Sequence, residues 1–364
     1  MRKKIIFIVV GLTVLFFVGK TALKLAKFSP FLFQLIFNHG VNLKKSDDNI
    51  NILLLGIGGG KHDGPNLTDT IIFASINQKK DKITLISIPR DLWIPDLNGK
   101  INTAYAIGEE KRKGGGLILA KTIVSKVINE PIDYAVRIDF SGFVKAVDLA
   151  GGLDINVQNS FDDYEYPITG KENDPCGHSE QELQALATAS SQLAAFPCRY
   201  MHIHFDRGLQ HMDGTRVLEF VRSRHAQGAE GTDFARSKRQ EKVIKAFKDK
   251  FLSFGILLNP GKIISLYDTL SSSIDTDIKQ DEFYDFIRLA QQMKNAKIES
   301  AVLDYGDKET GRPGLLVNPP TGSNYSYEWV LAPRIGNGNF SEIQKYVECE
   351  IKVGNCKISK NPSS

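Results

Sequence analysis

Cysteine is scarce here: four in 364 residues, with no C-x-x-C pair and no Cys/His spacing that would hold zinc. Nucleotide loops are missing too. Gly58-Gly59-Gly60-Lys61 has no Ser or Thr after its lysine and the wrong glycine spacing for a Walker loop, and no helix pattern follows it as a dinucleotide fingerprint requires. No Lys/Arg tract alternates with aromatics, and no helix-turn-helix or basic recognition helix is visible, so nucleic acid is not among the expected partners. Neither sign of charge dominates, with 46 basic residues against 42 acidic. No internal repeat is present. What is there is an apolar share of 42%, ordinary for a globular core. The length suits one large or two ordinary domains.

The long apolar run lies at the N-terminus. Met1-Arg2-Lys3-Lys4 precedes Ile5 to Val18, and Lys20, Lys24 and Lys27 follow. By itself the run falls short of the roughly 20 residues that span a bilayer. Extended to Ala26, with Lys20 and Lys24 snorkelling outward, it predicts a transmembrane helix over 5–26. A cleaved signal peptide is the competing reading, but no small-x-small site follows cleanly. An anchor leaves the basic tip, 1–4, in the cytoplasm and the remainder outside. Phe31 to Phe37 is too short to span and suits the membrane surface, within a membrane-proximal linker over 27–48. The cysteines agree with that orientation, because an oxidising compartment favours disulfides. Four cysteines allow three pairings. Nearest neighbours, Cys176 with Cys198 and Cys349 with Cys356, are the expectation, against four unpaired thiols.

Ile50 to Gly56 is a buried-strand pattern. Next come Thr68-Asp69-Thr70 and a strand from Ile71 to Asn77. A polar turn, Gln78-Lys79-Lys80-Asp81, leads to a second strand from Lys82 to Ile88, ended by Pro89 and followed by Arg90-Asp91. Two strands joined by so short a turn form an antiparallel hairpin. Folding it about that turn brings position 69 opposite position 90. Spacing alone thus places Asp69 and Arg90 on one rim of a sheet. Leu117, Ala120, Ile123-Val124 and Val127-Ile128 repeat at helical spacing. Tyr134 to Val136 reads as a strand, Phe140 to Ala150 as a helix ending at Gly151-Gly152, and Leu153 to Val157 as a strand. The alternation predicts an α/β fold, a mixed central sheet sandwiched between helices. Residues 160–200 form a polar, cysteine-bracketed insertion with no motif. Asp213 caps a helix leading into Arg222-Ser223-Arg224. Ile263 to Leu303 reads mostly as amphipathic helix, and a closing strand near 330–333 precedes a loop and helix over 336–347.

Phe220 to Lys242 is where cations concentrate: Arg222, Arg224, Arg236 and Arg239, with Gln240 closing the set. Arginine is always charged and forks two hydrogen bonds onto an oxyanion. Four around one glycine-containing loop repel each other unless an anion sits between them. The bland alternative is a solvated basic helix. Positions 236, 240, 243 and 247 share a helical stripe that passes from polar to apolar. Thr232 or Asp233 caps its start, and the helix N-terminus adds partial positive charge.

Seven short stretches resemble the LytR-CpsA-Psr family of the bacterial cell envelope, in that family's order. They are Leu53-Leu54-Leu55-Gly56, Thr68-Asp69-Thr70, Ile88-Pro89-Arg90-Asp91 and Lys100-Ile101-Asn102-Thr103-Ala104-Tyr105. Val147-Asp148-Leu149-Ala150-Gly151-Gly152, Val221-Arg222-Ser223-Arg224-His225 and Arg236-Ser237-Lys238-Arg239-Gln240 complete the set. The resemblance implies an enzyme that moves a glycopolymer phosphate from a polyprenyl-pyrophosphate carrier onto peptidoglycan. It implies phosphate-clamping roles for Arg90, Arg222, Arg224, Arg236 and Arg239, with Gln240 reaching the phosphate, and Mg2+ organised by Asp69. Mg2+ prefers one or two carboxylates plus phosphate oxygens. Many relatives carry a second carboxylate just after the first strand, where this chain has Ile57-Gly58-Gly59. Asp63 in the following turn is the candidate replacement, or an ordinary Asp-Gly turn. Asp91 either accepts the acceptor hydroxyl's proton or orients Arg90, and orientation is the favoured reading. His225 has the neighbours of a site, though a lone histidine is more often structural. The 117–128 helix is a candidate wall for a lipid tunnel.

The expected organisation is a catalytic core over 49–255, containing the insertion, a helical C-terminal part over 256–348 completing it, and a tail over 349–364. The expected function is a membrane-anchored extracytoplasmic phosphotransferase. The alternative is a non-catalytic polyprenyl-phosphate-binding protein, which would hold the lipid without turning it over.

Overall fold

Asn49–Ile57 (β1) packs six aliphatic residues into nine positions, five of them buried, and so forms a strand covered on both faces. In the computed structural model the described residues are 41–60, 62, 64–186, 189, 191–253, 270–307 and 311–361. The expected anchor over 5–26, the apolar patch 31–37, Lys61 and Asp63 lie outside them. Among the described residues no helix is long and apolar enough to cross a membrane.

After β1 come Thr68–Asn77 (β2) and Lys82–Ser87 (β3), the helices Thr103–Lys111 (α1) and Gly116–Ile128 (α2), then Tyr134–Asp139 (β4) and Phe140–Leu149 (α3). Leu153–Val157 (β5), Phe161–Pro167 (β6), Tyr200–Phe205 (β7) and Gly208–Met212 (β8) follow. Gly214–Arg222 (α4), Asp233–Ser253 (α5), Ile274–Thr276 (β9), Phe283–Gln292 (α6), Lys297–Val302 (β10) and Ser341–Lys352 (α7) complete the order. The six-stranded sheet runs β9-β4-β1-β2-β3-β10. β1 is antiparallel to β2 and parallel to β4, β2 is antiparallel to β3, and β10 joins β3 in parallel. The fold is therefore the mixed α/β arrangement the alternation predicts.

Leu53, Leu55, Ile71, Phe73 and Ile86 share one face of the sheet, with the apolar sides of α1, α2 and α7 closing a core over it. Alternate residues, Ile52, Ile72, Ala74 and Leu85, are buried as well, so the sheet is covered on both sides. Leu117, Ala120, Ile123, Val124 and Val127 of α2 belong to that first core. A second core joins β5 to β8 with α3, α4 and α5, around Leu153, Phe161, Phe205, Phe220 and Val243.

Two units divide the chain: 44–278 with 293–364, and a second comprising the residues up to Leu43 together with Lys279–Gln292. Of that second unit, a single 3-10 turn, Gln280–Glu282, leads into α6, and the Lys279 backbone N–H donates to the Glu282 carboxylate.

The helical reading of 263–303 is corrected. Of its described part, Leu270 and Phe283–Gln292 are α-helical, while Ile274–Thr276 and Lys297–Val302 are strands at opposite edges of the sheet. Short apolar runs carry too little periodicity to separate the two states, and pairing with β4 and β3 decides. At the C-terminus α7 continues across position 349 to Lys352. Glu350 accepts the backbone N–H groups of Asn355 and Cys356, turning the chain back so that Cys349 meets Cys356. Cys176 pairs with Cys198, so both nearest-neighbour expectations hold.

Candidate active site

The hairpin places the first pair. Ile72 lies opposite Ser87, and the Ile88 N–H donates to the Ile71 carbonyl at 2.9 Å. The same register carried outward sets Asp69 across from Arg90, where Arg90 Nη1 donates to Asp69 Oδ1. Arg90 Nε lies 3.5 Å from Asp91 Oδ2. Burial opposes the charge on Arg90, yet the fields of Asp69 and then Asp91 outweigh it and hold the guanidinium above its ordinary range. Asp91 itself is 9% exposed, with Lys100 Nζ at 3.5 Å and Arg224 Nη2 at 3.9 Å. This carboxylate sits among three cations and does not line the cavity, a placement that suits orienting Arg90 and Arg224. Of the two roles expected for Asp91, the geometry supports the favoured one, orientation of Arg90, over proton acceptance.

Asp213 caps α4 by accepting the Arg216 N–H. The helix stops at Arg222, and Ser223, at φ −50° and ψ 127°, turns the chain into extended geometry. One buried residue explains that stop. Asp163, fully buried on β6, accepts the Ser223 hydroxyl at 2.7 Å and the backbone N–H groups of Arg224 and His225 at 3.2 Å each. Its other oxygen accepts the Glu165 N–H at 2.9 Å. Arg222 lies over the Phe140 ring at 4.2 Å and reaches the Tyr166 hydroxyl at 3.4 Å. Sequence reasoning missed Asp163, Tyr166 and Phe140, which sit in stretches without a motif.

Thr232 caps α5, its hydroxyl accepting the Ala235 N–H at 3.1 Å. Arg236 and Gln240, one turn apart, face the same cavity as Asp69, Arg90, Arg222 and Arg224. That cavity measures about 280 Å3. The positive end of α5 adds to four guanidinium groups there. Arg239 is the exception. Its side chain is buried and donates to the carbonyls of Phe220, Ser223 and Glu230 and to the Glu230 carboxylate, away from the cavity. Burial pulls its pKa down despite Glu230. The phosphate-binding assignment of Arg239 is corrected: it ties α5 to the end of α4.

The facing wall comes from the insertion and the loop after β1. Glu165, Pro167, Glu172 and Tyr200 line it with His62 and Phe140. His62 Nε2 lies 3.2 Å from Glu172 Oε1 and its ring meets Phe140 edge-on. A Cβ at Gly58 would fall 2.6 Å from His62 Cγ, which requires glycine there. Among the described residues the single cluster with metal-ligand spacing is Asp174, Cys176 and Cys198, whose cysteines are joined in a disulfide. Of the carboxylates that line the cavity, Asp69 is the one that engages Arg90, through Oδ1. One carboxylate beside a site for phosphate oxygens is a donor set that fits Mg2+, with anion and water completing the shell.

Four arginines, a glutamine and a helix N-terminus surround one hollow at the edge of the mixed sheet of this α/β protein, a donor set whose chemistry suits an anion. The family follows from comparison. The LytR_cpsA_psr family matches residues 25–317, and the chain belongs to it. It is 31% identical over 245 residues to the polyisoprenyl-teichoic acid–peptidoglycan teichoic acid transferase TagU of Oceanobacillus iheyensis, covering 66% of this chain and 62% of that relative. The TagU of Bacillus cereus is 26% identical over 303 residues, 78% of this chain and 83% of the relative. The same fold occurs in the Lin1025 protein of Listeria innocua, with a TM-score of 0.55, 20% identity and coverage of 84% and 99%. It recurs in TagT bound to LIIa-WTA, with a TM-score of 0.52, 20% identity and coverage of 86% and 95%.

Proposed function

We propose that this protein transfers a glycopolymer phosphate from a polyprenyl-pyrophosphate carrier to peptidoglycan, releasing the lipid phosphate. The observation that carries the reading is the convergence of Arg90, Arg222, Arg224 and Arg236 on one cavity from three separate parts of the chain. A diphosphate needs several cations at once, and phosphoryl transfer is mainly positioning and charge neutralisation. The names of the TagU relatives support a wall-polymer substrate. Arg90 is steered by Asp69 and Asp91, Arg224 by Asp91, and Arg222 by Phe140 and Tyr166, so the donors are set before substrate arrives. Asp69 would hold Mg2+, which neutralises diphosphate charge when bound.

The N-terminal segment serves as a single membrane anchor with the catalytic domain outside the cell. Support comes from the basic tip before the apolar run and from two disulfides with no free cysteine among the described residues. The test is incubation of the full-length protein with polyprenyl-pyrophosphate-linked N-acetylglucosamine, purified peptidoglycan and Mg2+. Labelled polymer on peptidoglycan and free lipid phosphate are expected, with EDTA abolishing both and Mg2+ restoring them. Tight donor binding without either product identifies a holding protein instead, and refutes the transfer.

A further inference from the structure

We propose that His225, aligned by Glu165, is the base that takes the proton from the attacking acceptor hydroxyl. This rests on the transfer reading above and adds the group that reading leaves open. An alcohol attacking phosphorus must lose a proton, and a positioned imidazole is suited to accept it. Arginine stays protonated at the relevant pH and offers no acceptor site. Asp69 is engaged by Arg90, and Asp91 does not line the cavity. His62 is turned toward Glu172 at 3.2 Å and packed over Gly58.

His225 stands differently. It lines the cavity one residue after Arg224, with its side chain 59% exposed. Its Nδ1 lies 3.9 Å from Glu165 Oε2. That is an electrostatic contact, and closing by roughly 1 Å makes it a hydrogen bond. Contacts of this kind tighten when substrate fills a site. With Nδ1 on the Glu165 side, Nε2 is the nitrogen left for a substrate, and the carboxylate selects the tautomer with its lone pair there.

Placement of this pair is not left to two surface side chains. Asp163 accepts the His225 N–H through Oδ2 and the Glu165 N–H through Oδ1, so one buried carboxylate sets the backbone of both partners. The charged groups around His225 are Glu165 and Asp163 from β6, Arg222 and Arg224 from its own segment, and Arg90 and Arg236 across the cavity.

In the step itself, the acceptor oxygen forms a bond to phosphorus while its proton passes to Nε2 of neutral His225. The bond from that phosphorus to the bridging oxygen breaks, and its electron pair leaves with the lipid phosphate. The imidazolium then returns its proton to that phosphate or to water. Glu165 acts through His225 and is a positioning residue.

The experiment compares full-length wild type, His225→Gln and Glu165→Gln. Transfer of polyprenyl-pyrophosphate-linked N-acetylglucosamine to peptidoglycan is followed across pH, with donor binding and unfolding midpoint measured alongside. His225→Gln should fold and bind donor as wild type does, lose about 100-fold or more in kcat, and lose the fall in rate on the acid side. Glu165→Gln should keep that fall and lose less in kcat than His225→Gln, since the base remains and only its alignment is weakened. A His225→Gln enzyme with at least half the wild-type kcat, or with the acid limb unchanged, overturns the assignment while leaving the transferase reading intact. Wild type that binds donor and never transfers it brings down both.

Discussion

Arg239→Met separates a structural arginine from a clamping one. The wild-type guanidinium makes four hydrogen bonds, to the carbonyls of Phe220, Ser223 and Glu230 and to the Glu230 carboxylate, from a residue only 2% exposed. Methionine fills much of the volume but satisfies none of these acceptors. Removing one partner of a buried ion pair costs about 3–5 kcal/mol. The individual bonds would sum to more, but Glu230 is partly exposed and recovers water. In a two-state melt, that loss lowers the midpoint on the order of 10 °C. Chemical denaturation of the full-length protein gives the same quantity as a shift in midpoint at constant slope. Below the melt, donor affinity should stay close to wild type, because the side chain does not line the cavity. Arg236→Met should behave inversely, keeping stability while raising the barrier by about 2–4 kcal/mol, which is roughly 30- to 1000-fold in rate. An Arg239→Met protein of wild-type stability with weakened donor binding would refute this assignment.

Asp163→Asn should lose roughly 3 kcal/mol, because its amide turns donors toward the N–H groups of Arg224 and His225; an unchanged denaturation midpoint argues against its role as organiser. Cys176→Ser with Cys198→Ser removes the closure of a 22-residue separation, about 3 kcal/mol by loop entropy, and should also impair transfer by loosening the Glu172 wall. The matching Cys349/Cys356 double variant should cost about 2.5 kcal/mol and spare transfer; equal loss of transfer in both refutes the distinction. His204 is held above its ordinary 6.5 by hydrogen bonds first to Asp206 and then to Asp162. A raised histidine favours the folded state in acid, and that contribution is lost as pH rises through the folded value. NMR titration should place His204 above 6.5, and Asp206→Asn should lower it; a wild-type value below 6.5 refutes the contact.

The sheet's centre was legible because its strands carry dense aliphatic patterns and its hairpin turn is short. Counting residues about Gln78–Asp81 was enough to set Asp69 against Arg90, and the observed register agrees. Local spacing also set Arg236 beside Gln240. Other features depend on partners far along the chain. Asp163 meets Ser223, Arg224 and His225 across 60 to 62 positions, from a stretch with no recognisable pattern. Arg239 lies in the same short motif as Arg236, and only tertiary packing separates a buried strut from a ligand. The edge strands β9 and β10 are too short to show a period, so pairing with the sheet settles what their sequence leaves ambiguous.

β6 pairs antiparallel with β7, and the Cys176–Cys198 disulfide closes the chain between them, which has an evolutionary consequence. The arginines that line the hollow are rooted in the sheet rim, α5, and the end of α4 with the residues just after it, whereas Glu165 on β6, Tyr200 on β7 and Glu172 between them belong to one excursion stapled by Cys176 and Cys198. The stretch between β6 and β7 can therefore change in sequence, provided Asp163, Glu165 and Tyr166 stay on β6 to hold His225, Arg224 and Arg222 in place.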